Sequence, residues 1–152
     1  MAKPVSRATP RGVAGKPSSS GAGATAAHRA APHGVRIVGG RWKRTRLPVL
    51  ERAGLRPTPD RVRETVFNWL GQELGGWHCI DAFAGTGALG FEAASRGAAS
   101  VVLVEQDRAL VLQLAQVQQR LQADMVRIQR GDGVAALAGL APDALRWWVR
   151  AG

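Results

Sequence analysis

Hydrophobic and polar residues follow one another along this chain with periods that change at identifiable points, and each period predicts an element. Residues 1–34 have no period. Gly, Ala, Ser, Pro and basic residues succeed one another without an apolar repeat, so ordering them would cost conformational entropy that no core burial repays. They read as a disordered basic arm. From Val35 the pattern becomes two-residue: Val35-Arg-Ile-Val38 alternates, Gly39-Gly40 can supply a two-residue turn, and Arg41 to Leu47 pairs back, which predicts a basic β-hairpin. Pro48 to Pro57 is a connector. Thr58-Pro-Asp60 then carries helix-start signals, with Thr58 as N-cap, Pro59 at the first position and an acid in the first turn. Val62, Val66, Trp69 and Leu70 fall at i, i+4, i+7 and i+8, which predicts the core face and leaves Arg61, Arg63, Glu64 and Asn68 for other faces.

Beyond Gly75-Gly76 the apolar residues gather into short continuous runs. Trp77-His-Cys-Ile80 reads as a buried strand ending at Asp81, and Ala88 to Arg96 as a helix closed by Gly97. Ser100 to Glu105 is a nearly unbroken apolar strand, as a parallel sheet buried on both faces requires. Asp107 can cap a helix reaching about Leu121, with Leu110, Leu114, Val117 and Leu121 inward. Met125 to Ile128 is a third strand candidate, and Gly131-Asp-Gly133 opens a short helix over Val134 to Leu140. Strands alternating with helices predict an α/β fold, a parallel sheet with helices on both faces, preceded by the hairpin.

One stretch has residue types and spacing that describe a ligand site. In Asp81-Ala-Phe-Ala-Gly-Thr-Gly-Ala-Leu-Gly90 a strand runs through a glycine turn into a helix. Gly85 and Gly87 let a ligand approach main-chain N–H groups at the positive end of that helix. Gly85 to Gly90 satisfies G-x-G-x-x-G, and Glu105 stands twenty residues after Gly85, where a ribose-binding acid belongs. Glycine spacing alone fits NAD as well as S-adenosylmethionine (AdoMet), and a tight turn with no ligand also fits. Asp81 favours AdoMet, because a carboxylate at the strand tip suits an ammonium and a sulfonium and would repel a pyrophosphate. Strand tips end in Asp81, Glu105 and Asp132. In an open parallel sheet such tips line one crevice, here suited to an ammonium, a ribose diol and an adenine amino group.

Charge sharpens the picture. The net charge is +10, of which residues 1–34 contribute +5, residues 35–63 +7 and the remainder −2. A basic half beside a near-neutral half fits a polyanion, and nucleic acid is the expected partner. In the hairpin, Trp42 among Arg36, Arg41, Lys43, Arg44 and Arg46 offers a stacking face beside cations, a way single-stranded or looped RNA is held. An edge hairpin kept soluble by its charges is the other reading. The single Cys79 cannot form an intramolecular disulfide, so a reduced, cytoplasmic setting is expected, with Cys79 in the core. No apolar run approaches the ~18 residues of a membrane helix. His28 and His33 have no partner at ligand spacing, so no metal is expected.

The segments Arg36 to Trp42, Leu55-Arg-Pro-Thr-Pro-Asp-Arg-Val-Arg-Glu-Thr-Val-Phe-Asn-Trp-Leu70, Asp81 to Gly90, and Ser95-Arg-Gly-Ala98 through Val104-Glu105 occur together and in order. In these the chain resembles the RsmD family of 16S ribosomal RNA guanine-N2 methyltransferases. The resemblance implies a class I (Rossmann-like) AdoMet-dependent fold over residues 35–152 that methylates the exocyclic amine of a guanine in small-subunit rRNA. It implies that Asp81, Gly85 and Gly87 hold the amino-acid and ribose part of the cofactor, with Phe83 also among the cofactor-binding residues. Glu105 would hold its ribose hydroxyls and Asp132 its adenine. Thr58 to Asn68 would pack beside the methionine end, and 16S rRNA or the small ribosomal subunit would be the partner of a monomer.

One family feature is missing. Asp-Pro-Pro-Phe, which orients the target amine at the end of the family's fourth strand, should follow near residue 140. The sequence there reads Ala141-Pro-Asp-Ala-Leu-Arg-Trp-Trp-Val-Arg-Ala-Gly152, so no catalytic residue is assigned. The expectation is a truncated or frame-shifted product whose incomplete sheet leaves Cys79 to Phe83 as an unpaired edge, making the chain marginally stable or prone to aggregate.

Overall fold

The computed structural model describes residues 34–140 and 147–150. Apart from Gly34, the basic arm expected over residues 1–34, with His28 and His33, lies outside the described residues.

Val35–Arg36 (β1) pairs antiparallel with Arg46–Leu47 (β2), with Val35 opposite Leu47 and Arg36 opposite Arg46. The hairpin is present, but its turn is wider than Gly39-Gly40. The Ile37 N–H donates to the Thr45 carbonyl at 2.9 Å and the Arg44 N–H to the Ile37 carbonyl at 2.8 Å, so a wide loop closes the ribbon. The glycines serve a different purpose: they lie against the end of a helix far along the chain, the Arg41 N–H donating to the Ser95 carbonyl at 2.7 Å.

Asp60–Leu70 (α1) starts without the expected Thr58 cap: Pro59 occupies the capping position, with no side-chain hydrogen bond there. Its buried face also differs from the predicted one. Arg63 and Phe67 are fully buried, whereas Val62 and Trp69 are exposed, Trp69 by 82%. Apolar periodicity failed here because the burying surface offers a carboxylate, Glu92, as well as apolar side chains.

Four parallel strands form the described sheet: His78–Asp81 (β3), Ser100–Glu105 (β4), Val126–Arg130 (β5) and Trp147–Arg150 (β6), in the order β5-β4-β3-β6. Ala88–Ser95 (α2) packs on β3 and β4, and Arg108–Leu121 (α3) on β4 and β5. Gly133–Ala138 (α4) follows β5 and lies against β4.

β6 overturns one expectation. Trp147 to Arg150 pairs in register with His78 to Asp81, so β3 is an interior strand and not an unpaired edge. Aromatic and β-branched residues favour a pleated strand, and β3 supplies the adjacent backbone ladder. Between the layers Leu74, Phe91, Val101, Leu103, Leu114 and Val117 are buried. Cys79 joins them, and burial pushes its thiol up to about 11. Among the described residues no helix is long and apolar enough to cross a membrane.

Candidate functional site

The site is built where β3 and β4 end. β3 delivers Asp81, which is 2% exposed, and the chain then turns through Ala82 to Gly87 into α2. Gly85 (φ 55°) and Gly87 (φ 80°) take the left-handed backbone that side chains disfavour. A Cβ on Gly87 would meet Leu114 and Phe91 at 2.6–2.7 Å. Gly90 has another reason: a Cβ there would stand 2.0 Å from Leu103, so the third glycine of the fingerprint lets α2 settle on β4.

β4 delivers Glu105, whose carboxylate is fixed by backbone donors. Its Oε2 accepts from the Gly85 N–H at 2.9 Å, and its Oε1 accepts from the Gln106 and Asp107 N–H groups at 2.8 and 2.9 Å. The Gly85 N–H, expected to face a ligand, is thus given to Glu105 and locks the glycine turn to the tip of β4. An ionised carboxylate has about four lone-pair sites, so acceptor capacity remains toward the cleft.

Asp81, Phe83, Gly85 and Glu105 converge on one cleft of about 290 Å³. It lies beside the point where strand order reverses, the place where open α/β sheets bind ligands. Gly87 stands behind the lining rather than in it. Asp132 takes a different position: its Oδ1 accepts from the Val134 and Ala135 N–H groups at 2.7 and 3.1 Å and so caps α4. Its neighbours Gly131 and Gly133 line an adjoining cleft of about 200 Å³ together with Phe83 and Glu105. Phe83, 39% exposed, stands between the two spaces.

Sequence reasoning missed the wall opposite. Residues 52–57, read as a connector, line the main cleft together with Thr58, which alone of the Thr58 to Asn68 stretch expected beside the cofactor lines it. Leu55 lies 3.0 Å from where a Cβ on Gly85 would stand, and the Arg52 guanidinium is 3.6 Å from Asp107. Gly54 and Pro57 mark a turn in the sequence, but no local pattern says which surface a turn will cover.

The six hairpin residues are brought together on one ribbon. Arg41, Lys43, Arg44 and Arg46 are exposed, and Arg36 is paired loosely with Asp60 at 3.7 Å. Trp42 is half-buried against the core, with the Arg41 guanidinium 5.6 Å from its ring centre, so its stacking face is partly taken by the protein. The stretch just after residue 140, where the resemblance places Asp-Pro-Pro-Phe, falls on residues 141–146, outside the described residues.

Comparison with known proteins agrees with this architecture. A family model described as Conserved hypothetical protein 95 matches residues 35–143. The Ribosomal RNA small subunit methyltransferase D of Escherichia coli K12 is 45% identical over 123 residues, covering 81% of this chain and 57% of that protein. The chain therefore spans little more than half the length of that relative. The solved structure of yhhF from Escherichia coli superposes with a TM-score of 0.62 at 44% identity, over 68% of this chain and 56% of the other. A precorrin-6y C5,15-methyltransferase from Geobacter metallireducens shares the fold at 18% identity, with a TM-score of 0.52 over 66% of this chain and 53% of its own. The chain belongs to the Conserved hypothetical protein 95 (RsmD) family, and its sheet is an incomplete Rossmann-like methyltransferase fold.

Proposed function

We propose that this chain is the cofactor- and RNA-binding part of an AdoMet-dependent methyltransferase that modifies the exocyclic N2 of a guanine in 16S rRNA, acting in the cytoplasm. The observation that carries the reading is the pair of carboxylates, Asp81 and Glu105, on either side of Gly85 in one cleft. Asp81 suits the ammonium end of the cofactor and disfavours the pyrophosphate of NAD, while Glu105 suits the ribose hydroxyls of either cofactor. When bound, AdoMet supplies an electrophilic methyl group. Phe83 offers a flat apolar wall between the two clefts. Asp132, committed to capping α4, reaches an adenine amino group only with its remaining oxygen capacity. The exposed Arg41, Lys43, Arg44 and Arg46 supply a phosphate-binding ribbon.

The test is calorimetric titration of the full chain with S-adenosylhomocysteine (AdoHcy) and with NAD. Binding of the first alone is expected; binding of NAD alone would refute the reading. A second reading, a non-catalytic RNA-binding module, is favoured by the exposed Arg41, Lys43, Arg44 and Arg46 of the hairpin. Labelled methyl transfer from AdoMet to 16S rRNA separates the two: incorporation supports the enzyme, and RNA and AdoHcy binding without incorporation supports the module.

A further inference from the structure

Arg63 is fully buried, as is Glu92 beneath it. The guanidinium makes contacts in four directions. Nη1 donates to Glu92 Oε2 at 2.8 Å, Nη2 to the Arg36 carbonyl at 2.7 Å and to the Asp60 carboxylate, and Nε to the Thr58 carbonyl at 3.2 Å. Glu92 is saturated in turn. It accepts from the Val38 and Gly39 N–H groups at 2.9 and 2.8 Å and from Arg96 Nε at 3.0 Å. One buried ion pair therefore holds three separate pieces of chain. They are the hairpin through Arg36, Val38 and Gly39, the cleft wall through Thr58, and the helix that leaves the glycine turn through Glu92.

Stability alone does not account for such a pair. A buried Arg–Glu pair is on average no more stabilising than well-packed apolar side chains of the same volume, because desolvating two ions offsets their attraction. An apolar pair, however, cannot fix the backbone of two other segments. Arg supplies five donors in a rigid fork, whereas Lys is a point charge on a flexible stem. The residues joined belong to two different surfaces: Thr58 lines the cleft proposed for AdoMet, and Arg36 to Gly39 form the root of the ribbon proposed for RNA.

We infer that Arg63 is a positioning residue that couples the two surfaces, so that cofactor in the cleft and RNA on the hairpin each strengthen binding of the other. The inference rests on the proposed function above. A ligand packed against residues 52–58 orders the Thr58 carbonyl, and RNA on the ribbon orders the Arg36 carbonyl. Both act on the same guanidinium, and the second ligand meets a joint already ordered by the first. Such coupling is reciprocal by linkage.

The test measures AdoHcy affinity of the full chain with and without a saturating guanine-containing RNA hairpin, in the parent and in two variants. Arg63→Lys keeps the charge but not the fork. Gly40→Ala leaves Arg63 intact and forces the hairpin off α2, because its Cβ would meet the Ser95 carbonyl at 2.0 Å. In the parent, RNA is expected to tighten AdoHcy about fivefold, the lower end of ordinary coupling. In either variant AdoHcy alone should bind within about threefold of the parent while the coupling factor, measured with RNA raised to saturation for that variant, falls to about one, a change that simple loss of stability does not produce. Two bound ligands without coupling in the parent would overturn the inference while leaving the proposed function standing, as would undiminished coupling in Gly40→Ala. Failure of the parent to bind AdoHcy at all would refute the proposed function, and the inference with it.

Discussion

At the scale of single residues, the site depends on carboxylates held by backbone donors. Glu105 meets three N–H groups, and Glu105→Gln would turn an amide N–H₂ toward at least one of them. Loss of the acceptor and of the charge facing a ribose diol is expected to weaken AdoHcy about tenfold, or about 1.4 kcal/mol, and the mismatched donors to lower stability by about 1–3 kcal/mol; titration calorimetry and thermal unfolding check the two. Cys79 makes a prediction of the opposite kind. Its folded pKa is raised from 9.0 to about 11 by burial, so the neutral thiol is favoured in the folded chain. The resulting stability is complete below pH 9 and is lost as pH rises toward 11, an effect of roughly 2–3 kcal/mol. The stability difference between the parent and Cys79→Ala should therefore shrink between pH 9 and 11 in denaturant titrations. The glycine fingerprint and both strand-tip acids were legible in the sequence because each sits beside its own element. Asp132, also at a strand tip, caps α4.

At the scale of elements, α1 shows where periodicity misleads. Val62, Val66, Trp69 and Leu70 have the spacing of a core face, yet Phe67 and Arg63 are the buried pair. Phe67→Ala should destabilise the chain by about 3–5 kcal/mol, whereas Trp69→Ser should change stability by less than about 0.5 kcal/mol. Urea unfolding of the two variants distinguishes the observed face from the predicted one. A sequence signal did exist, in α2 rather than α1. Glu92 is a lone charge in Ala-Leu-Gly-Phe-Glu-Ala-Ala-Ser, a helix buried at every position. A carboxylate in that setting requires a cationic partner. Arg96 four residues on is a local partner, but nothing local says that a second lies 29 residues earlier. By contrast α3 was read correctly from its cap onward, because Asp107 accepts from Ala109 and Leu110 within its own first turn.

At the scale of the whole molecule, charge and sheet order set the behaviour. RNA affinity should fall steeply with salt, and replacing Lys43 and Arg44 by Ala should flatten the log–log salt slope by about two, one for each phosphate no longer neutralised. Filter binding at several salt concentrations measures it. With β6 beside β3, the outermost strand on that side of the described sheet is β6 itself. Among the described residues its outer edge has no partner strand, and such an edge is expected to favour association. A monomeric sizing profile would contradict this.

The sequence by itself determined the alternation of strands and helices, the glycine turn, the tips Asp81 and Glu105, and the basic ribbon, because each depends on neighbours within a few residues or on composition. Tertiary structure alone decided that residues 52–57 cover the cleft, that Arg63 goes inward, and that Trp147 to Arg150 completes the ladder beside β3. These depend on which distant backbone or ion meets them, and a one-dimensional pattern encodes which side chains avoid water but not which partner makes burial possible.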